Sequence, residues 1–216
     1  MTLPRVHWSS NCLAEQYGLI ARFEDARAAA ALSRSIALEL GQPFDAATTS
    51  HVSAPNERLA GNGMVAEREL RADIRTLEGA GEQWMGSTTA GFLAHMLCDR
   101  DAFDEATKLT EEAEAISADD DNLSQVLWRS ARARALARRD PVSAVKLARD
   151  AVARAAATEI LIDHGNALLS LAEVHEVAGR LQDAVDAIAL FQAKGATAYV
   201  NRAEAHLQQL QVGHNA

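Results

Sequence analysis

The stretch 166–188, NALLSLAEVHEVAGRLQDAVDAI, predicts two amphipathic helices joined by a tight turn. In its first half, Leu168, Leu171, Ala172 and His175 follow the i, i+3, i+4, i+7 spacing of residues on one face of a helix. The same spacing follows in the second half, at Leu181, Ala184, Val185 and Ile188. Gly179 lies between the halves, where a glycine typically ends a helix. The stretch therefore predicts a helical hairpin, in which Ala172 and Ala184 are small enough to let the two helices pack closely.

The same hairpin recurs about every forty residues along the chain. In the first helix of each earlier hairpin, the alanines that correspond to Ala172 are Ala14, Ala54, Ala94 and Ala133. In the second helix, those that correspond to Ala184 are Ala26, Ala66, Ala106 and Ala144. Two alanine series that stay in step indicate stacked modules, each of which buries its apolar face against its neighbours.

We therefore predict an all-α fold, a right-handed α-solenoid of about five antiparallel helix pairs followed by a C-terminal capping helix. The whole chain, 1–216, forms one helical-repeat domain in this prediction. Its units cover approximately 7–40, 44–79, 82–117, 122–157 and 159–195, and the cap covers 196–211.

The second unit differs from the others in its first helix. Pro55 lies inside that helix and removes one backbone hydrogen bond, which predicts a kink or a break. The neighbouring segment 48–53 is rich in serine and threonine and contains His51. This polar composition leaves two interpretations open, a poorly packed repeat or a helix that faces a ligand.

The composition argues against several classes of protein. A net charge of −9 argues against a nucleic-acid partner. The chain has no signal peptide and no apolar stretch long enough to span a bilayer, so we expect a cytoplasmic protein without a membrane partner. Cys12 and Cys98 lie far apart and predict buried free thiols. We expect Trp8, Trp84 and Trp128 in the core, with binding on a concave surface as the alternative.

The residue patterns indicate no site for catalysis. The seven histidines include no HExxH motif and no pair at the spacing of metal ligands on a helix. The glycine-rich segment 86–91, GSTTAG, lacks the lysine of a phosphate-binding loop. We therefore predict no catalytic residues, no metal site, no cofactor and no enzyme activity.

The fourth unit is basic although the chain as a whole is acidic. Its acidic residues Asp140 and Asp150 are outnumbered by Arg129, Arg132, Arg134, Arg138, Arg139, Lys146, Arg149 and Arg154. An acidic strip closes the third unit and continues past it, formed by Glu111, Glu112, Glu114, Asp119, Asp120 and Asp121. The arginines could pair with this strip, or they could line a groove for an acidic peptide, a nucleotide or a nucleic-acid phosphate. In the second interpretation the partner-binding residues are Gln125, Trp128, Arg129 and Arg132.

The chain resembles tetratricopeptide (TPR) repeats in a long-helix form, through the motifs LAxxY at 13–17, FDEA at 103–106 and AGRLQDA at 178–184. The segments 124–139 and 163–174 are similar to the C-terminal repeat region of large bacterial signalling proteins. In that family the repeats follow an ATPase module, often beside a class III nucleotide cyclase domain or a DNA-binding transcriptional activator domain. The resemblance implies regulation through protein contacts.

The sequence departs from that family by lacking a GxxxxGK[ST] loop, the metal-binding aspartates of a cyclase and a helix-turn-helix motif. We therefore expect a free-standing repeat protein or the tail of a larger regulator. Our leading hypothesis is a non-catalytic scaffold whose concave face holds a peptide or another protein. The alternative is a sensor module that binds a small anionic effector in the same groove. Because the first unit has no cap, we also expect self-association into a homo-oligomer.

Overall fold

Helices make up all the regular secondary structure in the residues that the computed structural model describes, 3–176 and 181–214. The first pair consists of α1 (Leu3–Leu19) and α2 (Phe23–Glu39). In the second pair, α3 (Pro43–Thr48) and α4 (Ser50–Leu59) precede α5 (Gly63–Gly79). The later helices are α6 (Trp84–Asp99), α7 (Phe103–Ile116), α8 (Asn122–Leu136), α9 (Pro141–Ala156), α10 (Leu161–Glu176), α11 (Gln182–Lys194) and α12 (Thr197–His214).

This arrangement confirms the predicted fold class, an all-α solenoid of antiparallel helix pairs that ends in a single helix. The first helices of successive pairs pack against one another, and we call the surface formed by α1, α4, α6, α8 and α10 the inner face. The predicted turn at Gly179 lies outside the described residues.

The two alanine series lie in the interior of the solenoid. None of the ten alanines is more than 1% exposed. In three pairs the two corresponding alanines share one apolar cluster, Ala54 with Ala66, Ala133 with Ala144, and Ala172 with Ala184. Side chains this small let the helix backbones approach closely, which explains why alanine recurs at these positions.

The turns in the first half of the chain share one backbone conformation. A residue in the left-handed conformation ends each of the first five long helical segments, at Ala21, Gly41, Gly61, Gly81 and Asp101. In the first turn, the amide of Arg22 donates to the carbonyl of Tyr17 at 2.9 Å, which is the closing bond of a Schellman motif. The fourth unit uses a different signal, because the carboxylate of Asp140 caps α9 by accepting from the amide of Ser143 at 3.1 Å.

The interruption in the second unit lies at Thr49, between α3 and α4, and Pro55 lies inside α4. The amide of Thr49 donates to the carbonyl of Ala46, which tightens this turn. The hydroxyls of Thr48 and Thr49 both donate to the carbonyl of Asp45. Hydroxyls that bond back to the helix backbone bend it. α4 continues through Pro55, so the break predicted there was wrong about the position, and the kink predicted as the alternative stays a prediction.

The C-terminal helix does more than cover α11. It also contacts α1 and α4 at the other end of the solenoid. Tyr199 of α12 packs against Phe191 of α11, with ring centroids 5.1 Å apart, and belongs to the same apolar cluster as Leu19 of α1. α12 therefore lies across the inner face and joins the first and last units.

Three residues expected in the core lie on the surface. Trp8 is 70% exposed, Trp84 is 56% exposed and Cys12 is exposed. Trp8 and Cys12 belong to α1, and their side chains lie on a side of α1 that no described helix covers. Cys98 is a buried free thiol as predicted, and burial raises its pKa to about 11.

No helix within the described ranges is both long and apolar enough to cross a membrane.

Candidate ligand site on the inner face

The predicted partner-binding residues form one compact cluster on α8. Trp128 is 2% exposed, and the guanidinium carbons of Arg129 and Arg132 lie 4.0 and 4.5 Å from the centre of its ring. Gln125 is also buried, and its amide donates to the carbonyl of Ala118 at 2.9 Å. The cluster packs towards α7 and α9, away from the inner face.

The two arginines of this cluster have carboxylate partners. Arg129 forms an ion pair with Asp150, and Arg132 forms one with Glu114. The indole nitrogen of Trp128 and one guanidinium nitrogen of Arg132 have no hydrogen-bond partner among the described residues. Partner binding at Gln125, Trp128, Arg129 and Arg132 stays a prediction, and a partner would have to displace these intramolecular contacts.

Other arginines of the fourth unit also pair with carboxylates. Arg134 contacts Asp99 and Glu173, and Arg139 contacts Asp104. Several of these carboxylates belong to the third unit or to the fifth. Of the two interpretations that the sequence left open, the contacts favour arginines that join neighbouring units over arginines that line an open groove.

A cavity of about 400 Å³ lies on the inner face. It is lined by residues from α1, α4, α6, α8 and α10, and by Tyr199 of α12. Phe92, Val126 and Leu127 contribute part of its apolar wall. Because each inner helix contributes residues, the shape of this cavity depends on how all five units stack.

Two histidines in the cavity wall are neutral at pH 7. Burial lowers the pKa of His51 to about 4. Its Nε2 lies 2.8 Å from the hydroxyl of Thr89, which donates to the carbonyl of Met85, so Nε2 of His51 must be the donor. Burial and the nearby guanidinium groups of Arg58 and Arg134 hold the pKa of His95 well below its ordinary value.

The acidic side chains of the cavity behave differently. Burial, together with the charge of Glu15, raises the pKa of Asp163 to about 6. Asp163 has no ion pair and no hydrogen-bond partner among the described residues. Glu15 comes from α1 and Asp163 from α10, so the superhelix brings two carboxylates from distant units to one cavity.

A charged network borders the cavity. It contains one residue from each of five helices: Arg58, Asp99, Arg134, Glu173 and Arg202. The arginines hold the pKa of Asp99 well below its ordinary range, against the opposing effect of burial. Burial, with the charge of Arg58, lowers the pKa of Arg202 to about 10, so Arg202 is still charged at pH 7. The network ties α12 to the inner face through Arg202 and Glu173.

These side chains offer hydrogen bonds, charge and apolar contact. The described residues contain no group of three or more histidine, cysteine or carboxylate side chains that could hold a metal ion.

The sequence analysis missed Asp163 and Asn166, which lie together on one face of α10 and line the cavity. The polar segment 48–53 carried part of the signal, since His51 lies in the cavity wall and the interpretation of a helix that faces a ligand named this segment.

Solved structures support the repeat fold. The chain is similar to a kinesin light chain-like protein with nearly identical TPR-like repeats from Podosopora anserina, at 18% identity and a TM-score of 0.57, over 89% of this chain and 95% of that one. A single-substitution variant of that protein gives a TM-score of 0.58 at 18% identity, over 98% and 99% of the two chains. No protein-family model and no curated protein matches the sequence. These similarities establish a TPR-like helical-repeat fold.

Proposed function

We propose that this chain is a non-catalytic interaction protein that holds a segment of a protein partner in the cavity of its inner face. The observation that carries the proposal is a cavity of about 400 Å³ to which all five inner helices contribute, with an apolar wall and a few polar side chains such as His51 and Asp163. A stacked array of this kind recognises its partner by shape and a few polar anchors. No reacting group is needed for such recognition.

The packing of α12 supports a peptide-like occupant. Tyr199 is 9% exposed, and its helix already lies on the inner face beside the cavity. The inner face therefore accepts a helical segment and buries an aromatic side chain from it. A partner segment would extend the surface that α12 now covers in part.

The setting of this interaction is also part of the proposal. The resemblance of segments 124–139 and 163–174 to bacterial regulators favours signalling or transcriptional regulation, with the chain acting in the cytoplasm. Self-association is a second proposed interaction. It is supported by Trp8 and Leu13, which expose 70% and 48% of their surface on α1.

A small-molecule sensor is the second candidate function. The cavity volume falls within the range of about 300 to 1,000 Å³ that is typical of small-molecule sites. The carboxylates of Glu15 and Asp163 argue against the anionic effector that we considered from the sequence. A thermal-shift screen of metabolites separates the two functions, because a specific ligand raises the midpoint of unfolding by mass action.

Peptide display on the purified chain tests the proposal. Peptides selected from a random library should bind the wild type, and Val52→Trp, which fills the cavity, should weaken their binding at least about tenfold, or about 1.4 kcal/mol. Val142→Trp is the matched control, because Val142 lies outside the cavity and is 83% exposed. Peptides that bind both variants as well as the wild type, or a library that yields no binder, would refute the proposal.

A further inference from the structure

Asp163 lacks the cation that three other carboxylates of low exposure have. Glu57 pairs with Arg27, Asp73 pairs with Arg34, and Glu67 pairs with both Arg71 and Arg100. Asp163 is partly exposed, and its carboxylate has lost part of its water without gaining a counter-charge, which disfavours the charged form. A group that the described residues do not supply would therefore stabilise the charged form of Asp163.

Two residues that line the cavity each have a buried side-chain oxygen without a partner among the described residues. The side chain of Ser130 is 2% exposed, and its Oγ has no hydrogen-bond partner among the residues that the structure describes. The carboxamide oxygen of Asn166 is buried and likewise unpaired. Unpaired buried atoms also occur outside the cavity, for example the indole nitrogen of Trp128, and all of them are shielded from solvent. The polar group that remains open to an occupant of the cavity is the carboxylate of Asp163, which accepts hydrogen bonds when it is charged.

The charges around the cavity are consistent with a cationic donor. Its lining includes three exposed charged side chains, Glu15, Glu159 and Lys194, and the partly exposed carboxylate of Asp163. His51 and His95 contribute no charge at pH 7, because burial lowers the pKa of both. The charged residues of the lining therefore sum to a negative charge, whereas the bordering network is positive, so a cation is favoured beside Asp163 and Glu15 and not beside His95.

We infer that the cavity binds an alkylammonium or guanidinium group, with Asp163 as its counter-ion. Phe92, Val126 and Leu127 offer apolar surface for the aliphatic stem that carries such a group. A lysine or arginine side chain of a partner segment would supply it, and in that case the inference rests on the proposed function. A free alkylamine would supply the same chemistry without a protein partner.

Four probes test the inference in the full chain. Two are the pentapeptide amides acetyl-GGKGG and its norleucine analogue, which have the same stem with and without the charge. The others are 1,4-diaminobutane and 1,4-butanediol. Isothermal titration calorimetry at pH 7.5 should show at least about tenfold tighter binding of the charged member of at least one pair. Carboxyl carbon NMR should show that this probe moves the titration of Asp163 to lower pH.

Two substitutions test whether the preference for the charged probe depends on Asp163. Asp163→Asn should abolish the preference for the charged probe, whereas Asp120→Asn, the same change at an exposed carboxylate outside the cavity, should keep it. Affinity for the charged probe should also fall about tenfold per pH unit below the pKa of Asp163, as the carboxylate becomes protonated. Equal affinities for the charged and neutral probes, or a preference that survives in Asp163→Asn, would overturn the inference.

The outcomes also separate this inference from the proposed function. If display peptides bind in a manner sensitive to Val52→Trp, but norleucine and lysine probes bind equally, the proposed function stands and the cationic site is rejected. If diaminobutane binds and shifts the titration of Asp163, but no peptide binds, the cationic site stands and its source is a small amine. If none of the probes binds the wild type, the cationic site is rejected.

Discussion

At the scale of single residues, Asp163 has the most unusual surroundings of the described carboxylates. It lines a cavity, it lacks a cation, and its pKa is raised to about 6 from an ordinary 3.8. The charged or titratable side chains that line the same cavity are Glu15, His51, His95, Glu159, Lys194 and Tyr199. Between the two pKa values, the folded state binds more protons at Asp163 than the unfolded state does, so this residue lowers stability as the pH rises through about 6.

The first prediction concerns Asp163→Asn. The variant should be more stable than the wild type by about 1–3 kcal/mol at pH 7.5, because asparagine needs no counter-charge, and the difference should be close to zero at pH 4. Urea denaturation at the two pH values measures both differences. The titrations of His51 and His95 affect both proteins alike and cancel in the comparison. A difference that does not change with pH would contradict the raised pKa of Asp163.

At the scale of secondary-structure elements, α6 shows how closely the inner helices approach. A Cβ atom at Gly91 would lie 2.7 Å from the Cβ of Leu127 on α8, which is too close for the two helices to keep their positions. Gly86, in the same helix, has space, because a Cβ there would meet its nearest neighbour, Ile116, at 3.8 Å. The two glycines therefore have different roles, the first in packing and the second without a steric requirement.

The second prediction compares alanine at these two positions. Gly91→Ala should destabilise the protein by about 1–3 kcal/mol, because α6 and α8 must separate. Gly86→Ala should be neutral or stabilising by up to about 1 kcal/mol, because alanine favours a helix over glycine. Chemical denaturation of both variants provides the measurement. Similar effects at the two positions would mean that α6 and α8 are less closely packed than the structure shows.

At the scale of the whole molecule, one ionic network joins four units and the last helix. Arg58, Arg134 and Arg202 contribute three positive charges, and Asp99 and Glu173 contribute two negative charges. Arg134 is the most shielded member, with 9% of its side chain exposed. Because the arginines are in excess, the network depends on both carboxylates to offset the repulsion among the guanidinium groups.

The third prediction is that Glu173→Gln destabilises the protein by about 2–4 kcal/mol, because it leaves shielded arginines without their shared carboxylate. The matched control is Glu24→Gln, which breaks an exposed pair with Arg27 and should have no measurable effect, as is usual for surface ion pairs. Thermal and urea denaturation at low salt measure both changes. Equal effects of the two substitutions would indicate that the network contributes no more than a surface pair.

The fourth prediction concerns α12. Ending the chain after Gly195 should uncover Phe191, Leu168 and the other apolar residues that α12 now covers. We expect the unfolding midpoint to fall by about 10 °C or more, because several large apolar side chains lose their burial. We also expect self-association, since the exposed patch is large. Differential scanning calorimetry and light scattering measure the two effects. A truncated chain that stays monomeric with an unchanged midpoint would show that α12 contributes little to the solenoid.

The sequence by itself determined the helical repeat. Helix periodicity, the spacing of alanines such as Ala14 and Ala54, and the Asp140 cap act within a helix or between adjacent ones, so residues near in sequence carry them. The burial predicted from the sequence was less accurate for α1, where Trp8 and Cys12 were expected in the core and lie on the surface. A periodic pattern shows which residues recur, but it does not show which side of a given helix its neighbours cover.

Only the tertiary structure decided where the candidate site lies. The predicted residues around Trp128 turned towards α7 and α9, whereas Asp163, Ser130 and Glu15 met at one cavity. Their meeting depends on the small rotation between successive units, summed over the solenoid, and on α12 crossing back to α1. No local sequence pattern determines this total rotation, because each unit contacts mainly its neighbours. The cavity, in contrast, requires all five inner helices.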